Sequence, residues 1–221
     1  MKWLTMFFNT SIGRKQLMAL TGIGLSGFLI MHLSGNLLLY VGGASGFGVK
    51  FNQYAAFLES QWWLIPAELG LVAIFLLHVG LAIKLSAESR TARAGTYQRK
   101  DASDATLASR TMLYSGLILL LFLIVHLIEF KYGVRHPEDG LAGLVRDKFS
   151  NPVYALSYVV CMVVLNFHLM HGIRSAFQTF GLNHPKYNDL VKKLCLGLAI
   201  ALSVGFASIP IWFLISQGGQ S

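Results

Sequence analysis

The stretch "GFLIMHLSGNLLLY", residues 27–40, sets one histidine, His32, inside a long apolar run. A soluble helix would hold an imidazole at its wet face, and a membrane helix usually omits one. If the run spans a bilayer, His32 needs a partner or a metal. Composition favours the bilayer: 54% of the 221 residues are hydrophobic and 13% are charged, where a soluble domain carries about a quarter charged residues. The first apolar run is long and has no small-residue cleavage site, so it reads as a retained span and not as a cleaved leader. Cys161 and Cys195 both lie in apolar runs, and no Cys-x-x-Cys pair exists. A zinc ribbon, a thiolate-held iron–sulfur cluster and a covalently attached haem are therefore not encoded, and both cysteines read as small buried hydrophobes.

Stretches free of Lys and Arg predict five helices, at about 16–41, 64–86, 111–132, 152–175 and 190–215, each long enough to cross a bilayer. The expected fold is an all-α integral membrane protein with one transmembrane domain over residues 1–221. Of the 18 basic residues, 13 fall on the side of the N-terminus and the second and fourth connections, and 5 on the other. The positive-inside rule then puts the N-terminus in the cytoplasm and the C-terminus outside. The net charge of +8 is thus a topology signal first and a docking face for a soluble partner second. It does not indicate nucleic-acid binding, since no recognition motif accompanies it. Trp62 and Trp63 open the second span as an interfacial belt, Pro66 sits in its first turn, and Trp212 anchors the far end of the last span. Segment 86–109, the most polar stretch, reads as a cytoplasmic loop. Nothing else is large enough for a soluble catalytic domain, so chemistry on a polar substrate falls to another subunit.

Each of the first four spans embeds a histidine: His32, His78, His126 and His168, with His171 one turn after the last. Helical rise from the nearest basic residue on the cytoplasmic side gives their depths. His32 lies roughly 27 Å beyond Arg14 and His126 roughly 24 Å beyond Arg110. His78 and His168 lie roughly 9 Å from Lys84 and Arg174. The four therefore form two layers of two. A single metal centre would gather its ligands at one depth. Two imidazoles at one depth, on facing helices, suit the two axial positions of a haem iron. Two layers mean two stacked haems b within a four-helix core, with irons roughly 15 Å apart by the same helical rise. A helix passing a broad haem needs small side chains, and eleven residues return to nearly the same face. Eleven before the four histidines stand Thr21, Ala67, Ser115 and Ser157. Gly22 and Gly116 extend the pattern, so that "TGIGLSGFLIMH" and "SGLILLLFLIVH" form a faint internal repeat. Small residues also serve ordinary helix packing in membranes. His171 could replace His168 as ligand, but its shallower depth suits contact with a haem propionate better. His136 and His184 sit in loops beside prolines and read as solvated. Arg14, Lys15, Arg110 and Arg174, at the cytoplasmic ends, are further candidates for propionates.

With the four histidines, the "TG" and "SG" pairs before the first and third, and "FHLMHGIRSAFQTFG", residues 167–181, the chain resembles the cytochrome b membrane subunit of two-haem succinate:quinone oxidoreductases and quinol:fumarate reductases. The resemblance covers nearly the whole chain. It implies that His78 and His168 hold the iron of the haem nearer the cytoplasm and His32 and His126 that of the distal one, in agreement with the depths. It implies a bacterial cytoplasmic membrane location, flavoprotein and iron–sulfur subunits as partners, a higher oligomer of the complex, membrane lipid, and a quinone, with menaquinone the expected type. A quinone site is expected near the distal haem, where Glu59, Glu68 and Glu129 are the candidate proton-transfer groups. Three other readings stay open: the cytochrome b anchor of a formate dehydrogenase or hydrogenase, distinguished by its partner genes, a haem-free transporter using histidine relays, distinguished by its lack of colour, and a purely structural membrane anchor.

Overall fold

The computed structural model describes residues 7, 9–41, 46–93, 107–135, 137–182 and 184–218, without strands among them. The elements are α1 (Ser11–Asn36) with a 3-10 turn (Leu37–Tyr40), α2 (Val49–Glu59), α3 (Leu64–Arg93), α4 (Leu107–His126) with a π-helical turn (Leu127–Lys131), α5 (Gly140–Phe149), α6 (Pro152–Thr179) and α7 (Asn188–Gly218). Among the described residues five segments are long and apolar enough to cross a membrane: Ser11–Tyr40, Leu64–Ser89, Thr111–Lys131, Pro152–Thr179 and Asn188–Ser216. The chain is an all-α, multi-pass integral membrane protein. Helices are the required form, because hydrocarbon offers no water to satisfy a free N–H or C=O.

Helices stand at all five expected places, several of them longer than expected. α1 begins at Ser11, α6 runs to Thr179, α3 runs past 86 to Arg93 and α4 begins at Leu107, so residues 86–93 and 107–109 of the expected loop are helical; residues 94–106 lie outside those described. The short helices α2 and α5 fill connections that were expected to be only loops.

Helix starts follow local chemistry. The Thr10 side chain accepts from the backbone N–H of Gly13 at the start of α1. At α6, Asn151 accepts from Val153 and Tyr154, with Pro152 in the first turn, where its missing N–H costs nothing. The spans pack antiparallel. An ion pair between Arg14 and Glu88 (3.0 Å) ties the start of α1 to the end of α3. This is called the basic end; the opposite one is the far end.

Two buried clusters hold the bundle. At the far end, Leu39, Phe51, Val145, Phe149, Tyr158 and Phe213 pack together and seat α2 and α5 on α6 and α7. Along the rest of the bundle, Leu33, Met162, Leu165, Leu169, Ala199 and Leu202 join α1, α6 and α7. Lipid-exposed apolar surface supplies no driving force here, so close packing between helices has to do so. α2 begins at Gly48, whose φ of 77° lies in the left-handed region and whose missing side chain lets Ala142 of α5 come into contact. Asn52 locks the same joint: its Nδ2 donates to the Asp139 carbonyl and its Oδ1 accepts from the Ala142 N–H, both at 2.9 Å.

Candidate functional site

The structure pairs His32 with His126 at one level and sets His78 and His168 at the other. At the far-end level, His32 of α1 and His126, the last residue of α4, have ring centroids 5.9 Å apart with planes at 90°. With a metal–imidazole bond of about 2 Å, as at zinc, two rings on opposite sides of one ion would have centres roughly 6 Å apart. Aromatic rings surround this pair. Phe28 stacks on His32 at 5.3 Å and Phe206 lies at 5.7 Å. Phe122, Phe130 and Tyr158 lie 5.7, 5.3 and 6.2 Å from His126. Nδ1 of His126 is buried with no hydrogen-bond partner among the described residues.

At the basic-end level, His78 of α3 and His168 of α6 are electrostatic neighbours. Each ring meets a hydroxyl from another helix. His78 Nδ1 lies 3.0 Å from Thr21 Oγ1 on α1. His168 Nδ1 lies 3.1 Å from Ser115 Oγ on α4. Glycines follow both hydroxyls, and a Cβ on Gly22 or Gly116 would stand 3.3 Å from His78 Cε1 or 3.5 Å from His168 Cε1. The faint repeat in the sequence therefore has a spatial counterpart: α1 and α4 each give a histidine to one level and a hydroxyl–glycine step to the other.

The other two small residues stand differently. Ala67 and Ser157 are exposed, and the Ser157 hydroxyl donates to the Tyr154 carbonyl at 2.6 Å. His171 is half-buried beside Arg174. Arg14 is largely buried. Its Nη2 pairs with Glu88, its Nη1 donates to the Asn9 carbonyl, and its Nε is buried with no partner among the described residues. Lys15 and Arg174 are exposed at the same end. The side chain of Arg110 lies outside the described residues.

The three carboxylates all lie at the far end, and each meets a cation that sequence reading did not assign to it. Glu59 pairs with Arg135 at 2.7 Å, Glu68 with Lys131, and Glu129 with Lys148. Glu129 is the least exposed, at 28% of its side chain against 48% and 41%. It sits in the π-helical turn that begins directly after His126. Such turns recur at functional sites because they redirect side chains out of helical register. An open cavity of about 320 Å³ lies between α2 and α5, lined by Asn52, Ala56, Glu59, Arg135, Glu138 and Leu141.

Among the described residues no three His, Cys, Asp or Glu side chains converge as a protein-only metal site requires. Two imidazoles per level are the donor set for an ion whose other ligands come with a prosthetic group. The separation of 5.9 Å fits a bis-imidazole iron at the far-end level.

A family model described as the succinate dehydrogenase/fumarate reductase transmembrane subunit matches residues 88–206, just over half of the chain. Ser115, His126 and His168 fall inside the matched region; Thr21, His32 and His78 fall before it. No curated protein and no solved structure matches the chain.

Proposed function

Because the chain belongs to the family of succinate dehydrogenase/fumarate reductase transmembrane subunits, we propose that it is the dihaem cytochrome b anchor of such a complex. In this role it passes electrons between a membrane quinone and partner iron–sulfur and flavoprotein subunits. One observation carries the dihaem reading: the rings of His32 and His126 lie 5.9 Å apart, while His78 and His168, at the other depth, are each set against a hydroxyl–glycine step of α1 or α4. His78 and His168 would hold one haem b near the basic end, and His32 and His126 a second near the far end. A bound haem supplies reversible one-electron transfer at its iron.

The chain's own groups do the rest. The imidazoles fix ligand geometry. The aromatic collar around His32 and His126 excludes water from the far-end level. Arg14, with its Nε still open, is the best-placed cation for a propionate at the basic end. Lys15, Arg174 and His171 lie around it, and Arg110 completes the set in the sequence.

Interconverting quinol and quinone moves two electrons and two protons, so the quinone site needs a proton acceptor. We assign Glu129 that task, as the carboxylate least exposed and three residues from His126. Glu59, on the 320 Å³ cavity, and Glu68 flank it. We take the N-terminus to be cytoplasmic by the positive-inside rule, in a bacterial cytoplasmic membrane, so that the basic end would face the soluble partners. Menaquinone is the quinone we expect, and the complex is expected to form a higher oligomer.

The test is a reduced-minus-oxidised spectrum of the purified complex, with haem counted per chain. Two haems b are expected, and His78→Ala should remove one and leave the other. A colourless wild-type complex would overturn the reading in favour of a transporter with histidine relays. One haem per chain would overturn the second pair.

A further inference from the structure

We propose that Thr21 and Ser115 are positioning residues that select the tautomer of His78 and His168, so that each imidazole turns an unprotonated Nε2 towards the iron. The inference rests on the dihaem reading above and adds residues to it. A hydroxyl has one hydrogen. Thr21 gives its own to the carbonyl of Leu17 or Met18, at 3.0 and 2.9 Å, as a threonine within a helix commonly does. Only lone pairs remain to face His78 Nδ1 at 3.0 Å. Ser115 gives its hydrogen to the Met112 carbonyl at 2.9 Å and turns lone pairs to His168 Nδ1 at 3.1 Å. With the hydroxyl hydrogens so assigned, both Nδ1 atoms are the N–H donors. In a neutral imidazole the other nitrogen is then the bare one.

The glycine after each hydroxyl fixes a second point of the ring. Cε1 of His78 rests over Gly22 and Cε1 of His168 over Gly116. With Nδ1 held on an oxygen and Cε1 on a bare backbone, neither ring can flip without losing both contacts.

Among the described residues this construction is found at the basic-end level only. His126 Nδ1 is buried without a partner among the described residues. The residues at the equivalent offset are Ala67, which has no hydroxyl, and Ser157, whose hydroxyl is turned to the Tyr154 carbonyl. Hydrocarbon provides no water to replace a missing acceptor, so the tautomer of His168 rests on Ser115, while at His78 Thr21 shares the task with the Met18 backbone carbonyl.

Two effects follow. Removing an outer hydrogen-bond partner of a ligating histidine weakens retention of the metal group by about 10- to 100-fold. It also makes the imidazole a poorer electron donor, which destabilises oxidised iron and raises the midpoint potential.

The experiment compares Thr21→Val, Thr21→Ser and Ser115→Ala in the whole complex. Readouts are haem per chain, an optical redox titration and the low-spin EPR signal, with His78→Ala identifying which haem belongs to this level. Thr21→Val and Ser115→Ala should lower the occupancy of that haem, shift its potential upward and alter its EPR signal, while leaving the other haem unchanged. Thr21→Ser should restore wild-type values. Unaltered potential, signal and occupancy in both variants would overturn the proposal, and so would an equal shift of both haems. If Thr21→Val does not assemble, Ser115→Ala, which removes a single heavy atom, decides alone. A wild-type complex without haem would instead sink the dihaem reading.

Discussion

Gly22 has little room above it. A Cβ at Gly22 would already press on His78 at 3.3 Å, whereas one at Gly24 would meet nothing within 4 Å. Gly22→Leu should therefore strip most of one haem from the purified complex, and Gly24→Leu should retain it; absorbance per chain checks both. For proton transfer, Glu129→Gln should slow quinol oxidation about 100-fold, the low end for loss of a general base, with both haem bands intact. Glu59→Gln and Glu68→Gln should cost less, as steady-state quinol turnover will show. The histidines were legible in the sequence because an imidazole in hydrocarbon is expensive and so conspicuous. Thr21 and Ser115 were legible as small residues, but their hydrogen bonds were not. Those depend on how far one helix is rotated against the next, which no single strand of sequence records. The ion pairs of Glu59, Glu68 and Glu129 were illegible for the same reason, each joining residues from separate connections or helix ends.

The helices themselves were found by their apolar length, and their errors have one cause. Hydropathy detects the bilayer, whereas helicity can outlast it. α3 continues to Arg93 as a polar extension, so a reading based on charge stopped it at 86. α2 and α5 were missed because each is short and only partly apolar. They are held by contacts with the spans and with each other, not by a hydropathy signal of their own. The π-helical turn after His126 had no sequence signature at all. The α2–α5 joint yields a prediction at this scale. Asn52→Ala removes two hydrogen bonds, each worth roughly 0.5–1.5 kcal/mol. It should destabilise the far-end cap by about 1–3 kcal/mol, read as faster amide exchange in α2 and α5 while the five spans stay protected.

The five candidate spans among the described residues predict that residues before Ser11 and after Ser216 lie on opposite sides of the membrane. Reporter fusions should show the N-terminal one active only in the cytoplasm and the C-terminal one only outside; both on one side would contradict the span count. If electrons traverse the bundle without accompanying protons, each is coupled to about 2.3 kcal/mol per 100 mV of membrane potential. Turnover in sealed vesicles should then change when an uncoupler collapses that potential. The arrangement of α1 and α4, each serving both levels, makes the molecule intolerant of slippage. One residue inserted between Thr21 and His32 would swing the two side chains about 100° out of alignment around the helix. A single-codon lengthening there would thus injure both storeys together, and the same insertion in α4 between Ser115 and His126 would do likewise.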